Sequence, residues 1–271
     1  MPELPEVETT RRGVQPLLRG RCVRSVTVHD ARLRRPVTDD LAQQLSGLRL
    51  REVRRRAKYL LFDFSAGTLL VHLGMSGSLR VVQASEPALK HDHVEIDFGA
   101  RQCLRFRDPR RFGLVLWTQA DPLEHELLCH LGPEPLANEF TATYLYQQAR
   151  GRRVAIKNFI MDGHVVVGVG NIYASEALFR AGIHPERAAG RISLGRLDKL
   201  VEHIRAVLAE AIEAGGTTLR DFVHNDGEPG YFRQELLVYG RGGEACVVCA
   251  KPLTTRVIGQ RSSFFCSSCQ R

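Results

Sequence analysis

Four cysteines near the C-terminus restrict this chain more than any other feature. Cys246 and Cys249 form one C-x2-C pair, Cys266 and Cys269 form another, and sixteen residues separate them. Two thiolate pairs at this spacing can surround one tetrahedral Zn2+, each turn offering two sulfurs. Four thiolates leave no position for water, so the expected role is structural, with one ion per chain. So short a segment cannot bury a core of its own, and metal binding of about 10–16 kcal/mol folds it instead. Leu253–Ile258 and Ser262–Phe265 are the predicted strands, with Gly259-Gln260-Arg261 as the hairpin tip. Arg261 is either an ordinary solvated arginine or a rigidly held probe for phosphate.

The rest of the chain changes period once. Up to about residue 120, short runs of Val, Leu, Ile and Phe recur between polar or glycine breaks: Cys22–Val28, Val53–Phe64, Thr68–Leu73, Ser78–Val82, Val94–Phe98, Leu104–Arg107 and Gly113–Trp117. That regularity predicts a sandwich or barrel, preceded by one helix from Pro5 to Leu18 with proline in its first turn. Beyond it, Leu123–Leu131, Thr141–Gln148 and Ile172–Gly182 read as helices. Ser193–Ala214 is the clearest: Leu194, Leu197, Leu200, Val201, Ile204, Val207, Leu208 and Ile212 share one face, with Ser193 as cap and Gly215-Gly216 as stop. The expected division is 1–120, 121–235 and 236–271.

Lys and Arg number 38 against 30 Asp and Glu, a formal charge of +8. The excess gathers at Arg32–Arg35, Arg49–Lys58, Arg105–Arg111 and Arg150–Lys157, interrupted by aromatics, which suits a partner made of phosphates. No run approaches the roughly 18 apolar residues of a membrane helix. The opening MPELPEVETTRRG has three glutamates and no apolar stretch, so no secretory leader is expected.

That opening is chemically pointed. Loss of Met1 leaves a secondary amine on Pro2. An α-amino group titrates near ~8, below a lysine near ~10.4, so more of it is free base at neutral pH. Such an amine can attack a sugar carbon and form an iminium ion, which is covalent catalysis without a hydroxyl. Glu3 follows directly, at the positive end of the predicted helix.

With these residues in view, the chain closely resembles formamidopyrimidine-DNA glycosylase. The resemblance runs the whole length through PELPEVET (Pro2–Thr9), RRAKYLLF (Arg55–Phe62), HLGMSG (His72–Gly77), KHDHV (Lys90–Val94), DPRRFG (Asp108–Gly113), VGVGNIYASE (Val167–Glu176), GGTTLRDF (Gly215–Phe222) and the cysteine module. It implies an α+β multidomain fold: an N-terminal β-sandwich, a helix–two-turn–helix domain and a C-terminal zinc-finger β-hairpin. It implies a cytoplasmic bacterial monomer acting on damaged double-stranded DNA, removing oxidised purines and then cleaving the strand by β,δ-elimination. Pro2 is the implied nucleophile and Glu3 the general acid, which needs a dry pocket to stay protonated near neutrality. Lys58 assists β-elimination and Arg261 the δ step. Met75, Arg110 and Phe112 are the implied wedge that fills the duplex when a nucleotide is extruded.

His91, Arg110, Arg152, Lys157 and Asn171 are the expected backbone contacts. Asn171 also opens a helix, so capping and phosphate binding can coexist there. Glu6, one turn after Glu3, either stays in the pocket or caps locally. His72 and His93 read as structural. Strand alternation puts Arg54, Arg56 and Lys58 on one face with Leu60, Phe62 and Phe64 beyond. Thr217–Phe232, rich in Gly, Asp and Asn, reads as a loop closing over the extruded base. Two competing readings are an endonuclease VIII-type enzyme for oxidised pyrimidines, whose start usually reads PEGPE where this chain has Leu4, and a non-catalytic zinc-ribbon DNA-binding protein.

Overall fold

In the computed structural model, residues 2–215 and 236–271 are described. Helix α1 (Leu4–Leu18) opens the chain, and its buried positions Leu4, Val7, Val14 and Leu18 form one apolar stripe at helical spacing. Strands β1 (Ser25–Val28), β6 (Asp92–Asp97), β7 (Gln102–Arg107) and β5 (Ser78–Gln83) make one antiparallel sheet in that order. Strands β2 (Leu50–Arg56), β3 (Tyr59–Phe64), β4 (Gly67–His72) and β8 (Leu114–Thr118) make the second. Val53, Leu60, Phe62, Leu69 and Val71 from one sheet share a core with Leu79, Ile96, Leu104 and Phe106 from the other, and with Val7, Val14 and Leu18 of α1. A small helix, α2 (Leu41–Leu45), adds its two ends to that core.

One predicted strand is in fact two. Val53–Phe64 folds back on itself, Arg56 pairing with Tyr59 across the two-residue turn Ala57-Lys58. Ala57 holds a positive φ of 55°, a place where glycine or asparagine is the usual signal, so the turn left no mark in the sequence. Lys58 therefore belongs to a hairpin tip, and strand alternation does not assign its face. The expected helix Leu123–Leu131 shrinks to a single 3-10 turn, Pro122–Glu124. His125 turns extended after it, which ends the helical run, and Leu123 is exposed.

The chain forms two compact units, the first running to Cys129 and the second containing His130–Ala214 together with the zinc module. In the second unit α3 (Ala142–Ala149) and α5 (Asn171–Arg180) pack on α6 (Leu194–Glu213), with the short α4 (Ile156–Ile160) against α5. Leu197, Leu200, Val201, Ile204, Val207, Leu208 and Ile212 are buried as predicted, but Leu194 is exposed. Ser193 stands at the N-cap without a side-chain bond, whereas Thr141 does cap α3, its hydroxyl accepting from the Tyr144 N–H at 3.1 Å. Strands β9 (Thr254–Ile258) and β10 (Arg261–Phe265) form the terminal hairpin, which buries Leu253, Cys246 and Cys266 against Phe179 of α5. Gly259-Gln260 make its turn, so Arg261 is the first residue of β10 and not part of the tip. Among the described residues, no helix is long and apolar enough to cross a membrane.

Candidate active site

In the first unit, the start of α1 is held by its own acids. Glu3 is the N-cap and only 2% exposed, and its N–H donates to Glu6 Oε2 at 2.8 Å within a reciprocal capping box. Glu6 thus caps locally, one of the two roles open to it. One turn on, Glu8 accepts from Arg11 (2.8 Å), Arg12 (3.1 Å) and Arg55 (3.2 Å). Burial pulls the Glu8 carboxyl upward, but the bonds and charges of Arg11, Arg55 and Arg12 outweigh it and hold the group below its ordinary range. Arg55 also donates to the Ala57 carbonyl at 2.9 Å. A chain of contacts thereby ties the helix carrying Pro2 and Glu3 to the turn carrying Lys58.

Lys58 is half-buried, and its charge is felt by His72 at the end of β4. Burial pulls the His72 imidazole down to about 4, and the charges of Lys58 and Arg34 add to the effect. Its Nδ1 is consistently an acceptor, taking the Gly74 N–H at 3.0 Å.

Two loops display the predicted wedge. Met75 is 38% exposed and Phe112 46%, and the Arg110 guanidinium lies 5.2 Å above the Phe112 ring. The loops are joined by Asp108, which is fully buried. Its carboxylate accepts from Ser76 Oγ (2.7 Å), the Gly113 N–H (2.7 Å) and the Arg110 N–H (3.3 Å), and its carbonyl from His93 Nε2 (2.8 Å). Gly74, at φ +64°, lets the backbones touch: a Cβ there would lie 2.5 Å from Gly113 N. His93 is thus structural. His91 precedes β6 at φ 76° and is partly exposed.

In the second unit, Asn171 does not cap α5; Gly170 is the N-cap. The Asn171 side chain instead reaches the terminal hairpin, its Nδ2 donating to the Ser262 carbonyl at 2.9 Å. Lys157, expected on a DNA-facing surface, is fully buried and donates to Asn171 Oδ1 and Ser263 Oγ. In this arrangement its ammonium braces the strand that begins with Arg261. Gly259 completes the brace, because a Cβ there would lie 2.3 Å from the Asn158 side chain of α4. Arg152 is exposed. Sequence reasoning missed Glu176, buried in α5, whose carboxylate accepts the N–H groups of Leu237 (2.9 Å), Val238 (3.0 Å) and Tyr239 (2.9 Å). It also missed Asp108 and Asn158. Only the positions of Asp108 and Glu176, at the edges of the DPRRFG and VGVGNIYASE motifs, hinted at them.

The Sγ atoms of Cys246, Cys249, Cys266 and Cys269 all lie within 4.8 Å of one another. Cys246–Cys269 is 3.9 Å and Cys249–Cys266 3.5 Å, close to the edge of about 3.8 Å that a tetrahedron with Zn–S near ~2.3 Å requires. Burial and the crowding of the other three thiols push the Cys269 thiol up to about 12, the strain that a divalent cation relieves. The donor set fits one structural Zn2+.

The comparisons with known proteins agree along the whole chain. Residues 1–115 match the formamidopyrimidine-DNA glycosylase N-terminal domain, 131–223 its H2TH domain, and 243–271 the zinc finger found in FPG and IleRS. The formamidopyrimidine-DNA glycosylase of Stutzerimonas stutzeri is 61% identical over 271 residues, covering all of both chains. The chain belongs to the formamidopyrimidine-DNA glycosylase family. Another member, from Saccharophagus degradans, is 57% identical over the same full span. Among solved structures, the MutM (FPG) protein of Thermus thermophilus superposes with a TM-score of 0.88 at 39% identity, over 99% of this chain and 98% of that one. A mutant Lactococcus lactis FPG, complexed with DNA containing Fapy-dG, gives 0.93 at 32% identity over all of both chains. The fold expected from the family, sandwich, H2TH helices and zinc hairpin, is the one observed. The Thr217–Phe232 loop, expected to enclose an extruded base, lies outside the described residues.

Proposed function

We infer that this chain is a base-excision repair enzyme, a bifunctional DNA glycosylase and AP lyase for oxidised purines, with Pro2 as its nucleophile. The observation that carries the catalytic assignment is the pairing of Pro2 with a carboxyl only 2% exposed at the rigid start of a capped helix. Once Met1 is removed, the Pro2 nitrogen is a free secondary amine. It bonds to C1′ of the damaged nucleoside while the glycosidic bond breaks and the base leaves with a proton. Glu3 delivers a proton to the ring oxygen as the sugar opens, giving an iminium ion. Loss of a C2′ proton then expels the 3′ phosphate, and a second elimination expels the 5′ phosphate. Lys58, on its tethered turn, supplies positive charge beside this chemistry, and Arg261 meets phosphate in the second elimination.

Met75, Arg110 and Phe112 fit the wedge role because two apolar side chains stand exposed on clamped loops beside a guanidinium that can donate to an orphaned base. His91, Arg152 and Asn171 contact the DNA backbone, while Lys157 acts through Asn171 and β10 as a positioning residue. The four cysteines hold the Zn2+ and so fix the hairpin. The enzyme acts as a monomer in the bacterial cytoplasm, at the chromosome.

Borohydride trapping on duplex DNA carrying 8-oxoguanine tests this reading. A covalent adduct is expected, and Pro2→Gly lowers its rate by at least about a hundredfold, on the order of 3 kcal/mol. Trapping chiefly on oxidised pyrimidines would favour the endonuclease VIII type, and tight binding with no adduct a zinc-ribbon binding protein.

A further inference from the structure

Five exposed arginines gather on one ribbon of the second unit, and the reading above gives a role to the side chain of Arg152 alone. Backbone hydrogen bonds lay residues 152–156 beside 187–190: Ile156 N–H to the Arg187 carbonyl (2.8 Å), Ala189 N–H to Val154 (2.9 Å) and Gly190 N–H to Arg152 (2.9 Å), with Ala155 bridged to Ala188. That ribbon brings Arg150, Arg152 and Arg153 together with Arg187 and Arg191. All five are exposed, and neither segment contains an Asp or Glu. The nearest acid in sequence, Glu186, is engaged by Arg256 at 2.6 Å. A cavity of about 210 Å³ opens in the same place, floored by Ala149, Ala189 and Gly190 and edged by Tyr146 and Arg150.

Among the described residues none of the five is in an ion pair, and like charges left uncompensated work against folding, so a role in binding an anion is the natural account of them. Lysines in their place would offer point charges; arginines offer planar forks that match phosphate oxygens two at a time.

We propose that this arginine ribbon is an auxiliary phosphate-binding surface that grips the backbone of undamaged duplex DNA, independently of lesion recognition. The inference rests on the repair reading above, which places only Arg152 of the five on DNA. A surface of this kind reads no sequence. It raises the time spent on ordinary DNA during search, and its contribution falls steeply with salt because each neutralised phosphate releases counter-ions.

The test uses the zinc-loaded full chain with R150A, R153A, R187A and R191A combined, leaving Arg152 in place. Binding to an undamaged duplex of about 40 base pairs is followed by anisotropy from about 50 to about 300 mM KCl; each lost phosphate contact flattens the log K against log salt slope by about 0.9, so a loss of about 3 to 4 is expected. Single-turnover excision of 8-oxoguanine at saturating enzyme should stay within about twofold of the unaltered protein. The matching R150K, R153K, R187K and R191K protein should keep the slope. An unchanged slope in the alanine protein overturns the proposal, as does a lysine protein that loses it equally. Failure of the unaltered protein to form a trapped adduct strikes the repair reading instead, and the slope comparison still decides the surface.

Discussion

The wedge loops of the sandwich and the arginine-bearing hairpin of the second unit solve one problem in opposite ways. Each must hold exposed side chains steady on a short, irregular piece of backbone. The sandwich does so with a buried anion: Asp108 gathers Ser76, Gly113 and Arg110 around one carboxylate. The hairpin does so with cations: Zn2+ between four thiolates, and the buried ammonium of Lys157 against Asn171 and Ser263. An anion clamp suits loops rich in backbone N–H donors; a cation brace suits strand edges that present carbonyls and hydroxyls. The difference teaches that the two regions should fail under different insults.

Metal loss should have the largest effect. Cys249→Ser or chelation removes a binding energy of about 10–16 kcal/mol from the hairpin alone. DNA affinity should fall at least a hundredfold while the thermal transition of the sandwich persists, and metal analysis with anisotropy checks both. A variant that keeps one zinc per chain and full affinity would break the comparison. Asp108→Asn comes next. It replaces one acceptor oxygen with a donor amide facing N–H groups, costing about 2–4 kcal/mol in urea unfolding. It should weaken binding to lesion DNA while leaving zinc content unchanged.

Acid should act on the sandwich through His72. His72 titrates near 4 in the folded chain against about 6.5 unfolded, so between those values the unfolded state binds more protons. Stability therefore rises with pH across that window and is lost as pH falls through it, by up to about 3 kcal/mol. His72→Gln should flatten this part of the profile; an unaltered profile would remove His72 from the account. The smallest contrast lies within the helices. Thr141→Ala should cost about 1 kcal/mol and Ser193→Ala almost nothing, since only Thr141 makes a capping bond.

Much of this is legible in the sequence, and the divide follows distance along the chain. The zinc module was readable because its ligands lie in two C-x2-C turns, a spacing that the chain's own geometry imposes. The face of α6 and most sandwich strands were readable for the same reason, since periodicity is a matter of neighbours. Ser193 shows the limit even there: the right residue stands at the cap without making the bond.

What tertiary structure alone decided is where buried charges go. Lys157 looks like any surface lysine in Ile156–Ile160, yet it is enclosed by partners 14 and 106 positions away. Asp108 looks like an ordinary turn aspartate before proline, yet it joins two loops from 32 positions apart. Lys58 was placed on a strand face and proved to sit on a turn, because Ala57 takes a conformation its residue type does not announce. By itself the sequence determined the family, the fold class and the metal set. Which ions are locked inside depends on donors and acceptors brought from afar, since burying a charge is tolerable only where its partners converge.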